Sequence, residues 1–183
     1  MFYRSFAIFL FSALLGAAGT SVLQSAYGKD TGFAPIDPPQ PAPLITFEDG
    51  DGHTLDLKDF RGSYVLLNLW ETSCAPCAAE MPKLNALSKK LDHKTFAIIA
   101  LDEEHDGSNA ARFFFKRHGI DHLSVYHDTS GQAPFILHAR GLPTTFLIDP
   151  HGMEIAKLEG GADWTENTMV SYLQARPAPQ SQP

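Results

Sequence analysis

Both cysteines of this chain fall in one short stretch, Trp70 to Pro82, which reads WETSCAPCAAEMP. Cys74 and Cys77 are separated only by Ala75 and Pro76. Such a pair can staple the chain, hold a soft metal, or exchange electrons with another sulfur. A bond between them closes a tiny loop and removes little entropy from the unfolded state, so stapling gains little. Structural zinc asks for four ligands. No second Cys-x-x-Cys exists, and none of the eight histidines forms an H-x3-5-H pair beside a cysteine. His118 and His122 have that spacing to each other, but Gly119 separates them into different elements. Thiol–disulfide exchange is the chemistry these residues favour.

The pair has to be positioned by what surrounds it. SYVLLNLW, Ser63 to Trp70, is a near-continuous apolar run, as expected of a strand buried on both faces. From Ala75 to Leu91, Met81, Leu84, Leu87 and Leu91 recur at helical spacing. Cys74 therefore opens a helix. There, free backbone N–H groups and the positive end of the helix dipole favour a thiolate. Cys74 is the expected nucleophile and the more exposed thiol. Cys77, about one turn on, is placed to resolve a mixed disulfide. Pro76 is tolerated in the first helical turn, where its missing N–H costs nothing.

Strands and helices alternate along the rest of the chain. LITFEDGDGHTLDL predicts a hairpin around residues 49–52, and TFAIIALD a second buried strand. Ser108 to His118 predicts a helix ended by Gly119. HLSVYHD predicts a short strand and GQAPFILHA a short helix. TTFLID and EIAKLEG predict a closing hairpin across Pro150 to Gly152. DWTENTMVSYLQA predicts a last helix, with Asp163 and Glu166 at capping-box spacing. The order implies an α/β fold, a mixed sheet with helices on both faces.

The N-terminus speaks to compartment. Arg4 is followed by an apolar run led by Phe6 to Leu15, small residues, and no further charge until Lys29. This is the layout of a secretory signal or signal-anchor over residues 1–28, with Ala26 to Gly28 as a loose cleavage site. Its second half, rich in Gly, Ser and Thr, makes it borderline for a membrane span. Residues 29–43, ending APIDPPQPAP, predict an extended Pro-rich linker. The folded domain is expected over 44–175 and a frayed tail over 176–183. Hydrophobic residues at 44% suffice for a core, and 21 acidic against 14 basic residues argue against a nucleic-acid partner.

LNLWETSCAPCAAEMPKLNAL resembles the active-site strand and helix of the thioredoxin-like fold, with Trp70 four residues before the first cysteine. GLPTTFLIDPHG, Gly141 to Gly152, resembles the segment holding that fold's cis-proline. Together they resemble the TlpA/ResA group of exported thiol–disulfide oxidoreductases, over about Leu44 to Ala175. The resemblance implies a thioredoxin-like fold with an N-terminal β-hairpin extension and a redox-active disulfide between Cys74 and Cys77. It implies a cis Pro143 facing the sulfurs, whose edge leaves the Leu142 backbone free for a substrate strand. It places an acid at Glu80 as the proton partner of Cys77. Trp70, Ala75, Pro76 and Leu142 are the expected substrate-binding residues, and Glu71 is expected to tune partner choice. Asn68 stands where cytoplasmic thioredoxins carry a buried aspartate, a departure that fits the exported branch. The acidic LDEEHD, Leu101 to Asp106, follows a buried strand and reads as an ordinary acidic loop near the crevice.

No histidine lies between the cysteines, so the charge that favours an oxidising pair is missing. A dithiol reductant is expected, without cofactor or metal, and the resemblance implies that a membrane electron donor re-reduces it. The resemblance implies protein disulfide substrates in cytochrome c apoprotein or in copper-site assembly factors. The alternative is a Cu(I)-binding chaperone using both cysteines as soft ligands.

Overall fold

Seven consecutive buried residues, Tyr64–Trp70, form β4 near the middle of an eight-stranded sheet. Their side chains alternate between two cores, as a strand's period of two requires. Tyr64, Leu66 and Trp70 enter one, and Val65, Leu67 and Leu69 the other. The computed structural model describes residues 31–104 and 109–178. The other strands are β1 (Ala34–Pro41), β2 (Thr46–Asp49), β3 (Thr54–Asp56), β5 (Phe96–Asp102), β6 (Tyr126–His127), β7 (Thr144–Ile148) and β8 (Met153–Glu159). The helices are α1 (Ala75–Ser88), α2 (Asn109–His118), α3 (Ala133–Ile136) and α4 (Asn167–Gln174).

The strand order is β1-β8-β7-β4-β5-β6-β2-β3. β4 runs parallel to β5, and β5 to β6, while β7 runs antiparallel to β4 and β8 antiparallel to β7. Helices α1, α2 and α4 bury Met81, Leu84, Leu87, Phe115, Met169 and Leu173 in the first core. Ala133 and Leu137, from α3 and its end, close the second. This is the expected α/β architecture. The predicted N-terminal hairpin is present as β2 and β3, attached to the sheet through β6.

Two expectations need correction. Within the predicted linker 29–43, residues 34–41 form β1, an edge strand paired with β8 through Ala34–Lys157 and Pro41–Met153. Proline suits an edge because it has no N–H to donate to a ladder. The segment is anchored by Phe33, 2% exposed, which stacks on Tyr172 at 5.5 Å and meets Trp164 edge-on at 6.3 Å. Phe33→Ala is therefore expected to cost about 3 kcal/mol in urea unfolding, whereas a free spacer would show no change. The second correction concerns α4, which starts at Asn167 without the predicted capping box. Glu166 is its N-cap and makes no side-chain cap bond. The Asp163 carboxylate goes instead to Lys83 and to Thr165.

The signal segment 1–28 lies outside the described residues, as does most of the tail. Among the described residues no helix is long and apolar enough to cross a membrane.

Candidate active site

β4 delivers the chain directly to the cysteines. Cys74 is the N-cap of α1, with extended backbone angles (φ −81°, ψ 105°), and Pro76 occupies the first turn. Cys74 and Cys77 are joined by a disulfide, their Cα atoms 5.2 Å apart. The Cys77 N–H points at the Cys74 Sγ, 3.4 Å away. On reduction the same N–H and the helix dipole stabilise a thiolate on Cys74. Cys74 is partly exposed and Cys77 is wholly buried. Only the first sulfur is open to an incoming disulfide. Ala75 and Pro76 are exposed beside it.

Glu80 lies one turn beyond Cys77 and is only 3% exposed. Its Oε1 accepts from the Asn68 amide at 2.8 Å, and its Oε2 accepts from the Ala162 N–H at 2.8 Å. Burial pushes its carboxyl above the ordinary range. The Ala162 N–H and the Asn68 amide pull the other way, as does the Trp164 indole from outside hydrogen-bonding geometry. The Ala162 donor arrives on a turn made possible by Gly160, whose φ of +89° is left-handed. A Cβ on Gly161 would meet both Glu80 Oε2 and Pro76 at 3.7 Å, so the turn lies directly over the acid. The Lys83–Asp163 pair, 2.6 Å, ties this turn to α1.

The Leu142–Pro143 bond is cis. The Pro143 carbonyl accepts from the Gly160 N–H at 2.9 Å, joining the proline loop to the turn over Glu80. Leu142 is half-buried and packs against both cores. Trp70 departs from its expected role in substrate binding. It is fully buried, stacked on Phe115 at 5.6 Å and tilted on Phe114 at 5.3 Å. The reason is that α2 packs across its ring, so Trp70 supports the cysteine loop from below. Glu71, half-buried, accepts from the Ser73 hydroxyl at 3.2 Å.

A group of buried acids behind the cysteine loop was not foreseen. Asp102 is fully buried and Glu103 is 7% exposed. The Glu103 N–H donates to the Trp70 carbonyl at 3.0 Å, and the Thr72 hydroxyl donates to Glu104 Oε1 at 2.6 Å. Burial raises Asp102 to about 7, with the charges of Glu104 and Glu71 adding to it while the Glu104 N–H opposes. Burial raises Glu103 to about 9, helped by Asp128, Asp102 and Glu71. With both acids ionised, neither Glu103 oxygen has a donor; protonated, Glu103 gives its hydrogen to Asp128. The only signal in the sequence was an acidic run starting inside an apolar strand.

A strand-fed helix N-terminus with a half-exposed and a buried sulfur, a cis-proline loop and a buried acid defines a thioredoxin-like thiol–disulfide oxidoreductase. Comparison with known proteins agrees. Residues 38–156 match the AhpC/TSA family. The chain is 33% identical to the thiol-disulfide oxidoreductase ResA of Bacillus cereus, covering 92% of this chain and 93% of that protein. It is 30% identical to ResA of Bacillus subtilis, covering 87% and 86%. A crystal structure from Chlorobium tepidum, assigned to a thiol:disulfide interchange protein DsbE, superposes with a TM-score of 0.65 at 27% identity. It covers 75% of this chain and 99% of that one. The chain belongs to the AhpC/TSA family, among its ResA-like thiol–disulfide oxidoreductases.

Proposed function

We propose that the protein is an exported dithiol reductant of protein disulfides. The observation that carries this reading is Glu80, a buried carboxyl held one helical turn beyond the buried Cys77. A negative charge there opposes thiolate formation on the pair, and Ala75–Pro76 supplies no cation to offset it. The dithiol is then the electron-rich, donating form.

The reaction balances without a cofactor. The Cys74 thiolate attacks one sulfur of the substrate disulfide, that S–S bond breaks, and a mixed disulfide forms. Cys77 gives its proton to Glu80 and attacks the Cys74 sulfur. The substrate leaves as a dithiol, its two sulfurs taking up the proton held by Glu80 and one from water, and the Cys74–Cys77 disulfide remains. A membrane electron donor returns two electrons to it. Ala75, Pro76 and Leu142 form the apolar rim on which the substrate chain lies, and the backbone beside cis-Pro143 pairs with it. The substrates are cysteine pairs of cytochrome c apoprotein or of copper-site assembly factors. Export follows from the N-terminal segment, residues 1–28.

Equilibration of the protein with a thiol buffer of known potential tests the direction. The expected value lies near or below that of thioredoxin, about −270 mV. A value close to that of DsbA, about −120 mV, would overturn the reductant reading and leave a disulfide-forming oxidant.

A further inference from the structure

We propose that Asn68 and Thr145 are positioning residues that form a reversible cradle for the Glu80 carboxyl, able to satisfy it both with and without its proton. The proposal rests on the reading of Glu80 as the proton partner of Cys77.

Asn68 is fully buried in the middle of β4, and Thr145 is fully buried opposite it on β7. The Asn68 Nδ2 uses both of its hydrogens, one to Glu80 Oε1 at 2.8 Å and one to Thr145 Oγ1 at 2.9 Å. Its Oδ1 is buried with no partner. This arrangement suits an ionised Glu80, which only accepts. Turning the amide over places Oδ1 where Nδ2 was, and Nδ2 in the partnerless position that Oδ1 held. It then accepts from a protonated Glu80 and from the Thr145 hydroxyl, which can donate as readily as accept. Each protonation state of the acid thus has a matching amide orientation.

The cradle also decides which oxygen takes the proton. Oε2 is held by the Ala162 N–H at 2.8 Å, a donor that cannot become an acceptor. The proton released by Cys77 therefore rests on Oε1, facing Asn68. No like charge intrudes among the described residues. β4 and β7 bring an amide and a hydroxyl, and the covering turn brings the Ala162 N–H and the Trp164 indole. On Glu80's own helix the titratable groups are Cys77 and Lys83, and Lys83 is engaged by Asp163 of the covering turn. An aspartate at position 68 would lack this reversibility, because it confronts Glu80 with a second carboxylate.

The test reads the Glu80 carboxyl directly, by ¹³C NMR of the oxidised full-length protein across pH. Its resonance is assigned by its loss in Glu80→Gln. Asn68→Leu is expected to raise the Glu80 midpoint by about one pH unit, roughly tenfold in proton affinity, because the ionised acid loses its donor. Thr145→Val, nearly isosteric, shifts it the same way by less, since it strands one Asn68 hydrogen in the ionised state, whereas in the protonated state Oδ1 loses one of two donors and keeps the Glu80 hydrogen. Asn68→Asp shifts it furthest. In the reduced protein, the pH profile of mixed-disulfide resolution moves with the midpoint in each variant. Midpoints of Asn68→Leu and Thr145→Val that match wild type overturn the cradle. If Asn68→Leu does not fold, Thr145→Val decides alone. A resolution profile unchanged by Glu80→Gln overturns the underlying role of Glu80, whatever the midpoints show.

Discussion

Cys74→Ser is expected to lower the rate of protein-disulfide reduction by about a thousandfold or more, because no other thiol can open a substrate disulfide. Both cysteines of the chain lie in this site. Cys77→Ser is expected to behave differently. Cys74 remains half-exposed at the start of α1 and still attacks, but nothing displaces it. A mixed disulfide accumulates and runs as a higher-mass species on a non-reducing gel. Reduction releases the trapped substrate for identification. The asymmetry follows from burial, since a wholly buried Cys77 sulfur cannot be reached by a partner. Adducts that require Cys77 and survive Cys74→Ser would reverse the assignment of the two sulfurs.

The second large effect concerns stability against pH. Asp102 and Glu103 are held protonated by burial, at about 7 and about 9. Acids whose folded values are raised bind protons more tightly folded than unfolded. Their stabilising contribution is therefore complete below the ordinary carboxylate range of about 4. It is lost as pH rises, through about 7 for Asp102 and about 9 for Glu103. The wild-type protein should weaken steadily between these limits. Glu103→Gln keeps a donor for Asp128 and cannot ionise. It is expected to stabilise the fold at pH 8.5 by on the order of 3 kcal/mol, with little gain at pH 4. Urea unfolding of both proteins at the two pH values measures this. Parallel losses of stability in wild type and Glu103→Gln would mean that Glu103 is not the group responsible.

The buried acids and the cysteine pair differ in how far they could be read beforehand. Cys74 and Cys77 announce themselves, since their spacing, the apolar run before them and the helical pattern after them are all local. Such information acts over a few residues, the reach of a helical turn or a strand's alternation. By the same token β4, β5, α1 and the hairpin of β7 and β8 were legible. So was the place of Cys74 at a helix N-terminus, where the dipole acts. The Pro-rich segment misled because proline predicts an extended chain in a linker and on a sheet edge alike. Only its pairing with β8, more than a hundred residues later, distinguishes them.

The proton chemistry belongs to the tertiary structure. Glu80 meets Asn68 across 12 residues of sequence and Ala162 across 82, while Asn68 meets Thr145 across 77. No local pattern encodes those distances. They exist because β7 pairs beside β4 and the turn after β8 folds back over α1. Residue types and spacing determined by themselves that two sulfurs would exchange electrons here. Closing the sheet decided that the carboxyl one turn beyond them is buried, and which distant groups it hydrogen-bonds, because desolvation and long-range hydrogen bonds arise only when distant segments meet.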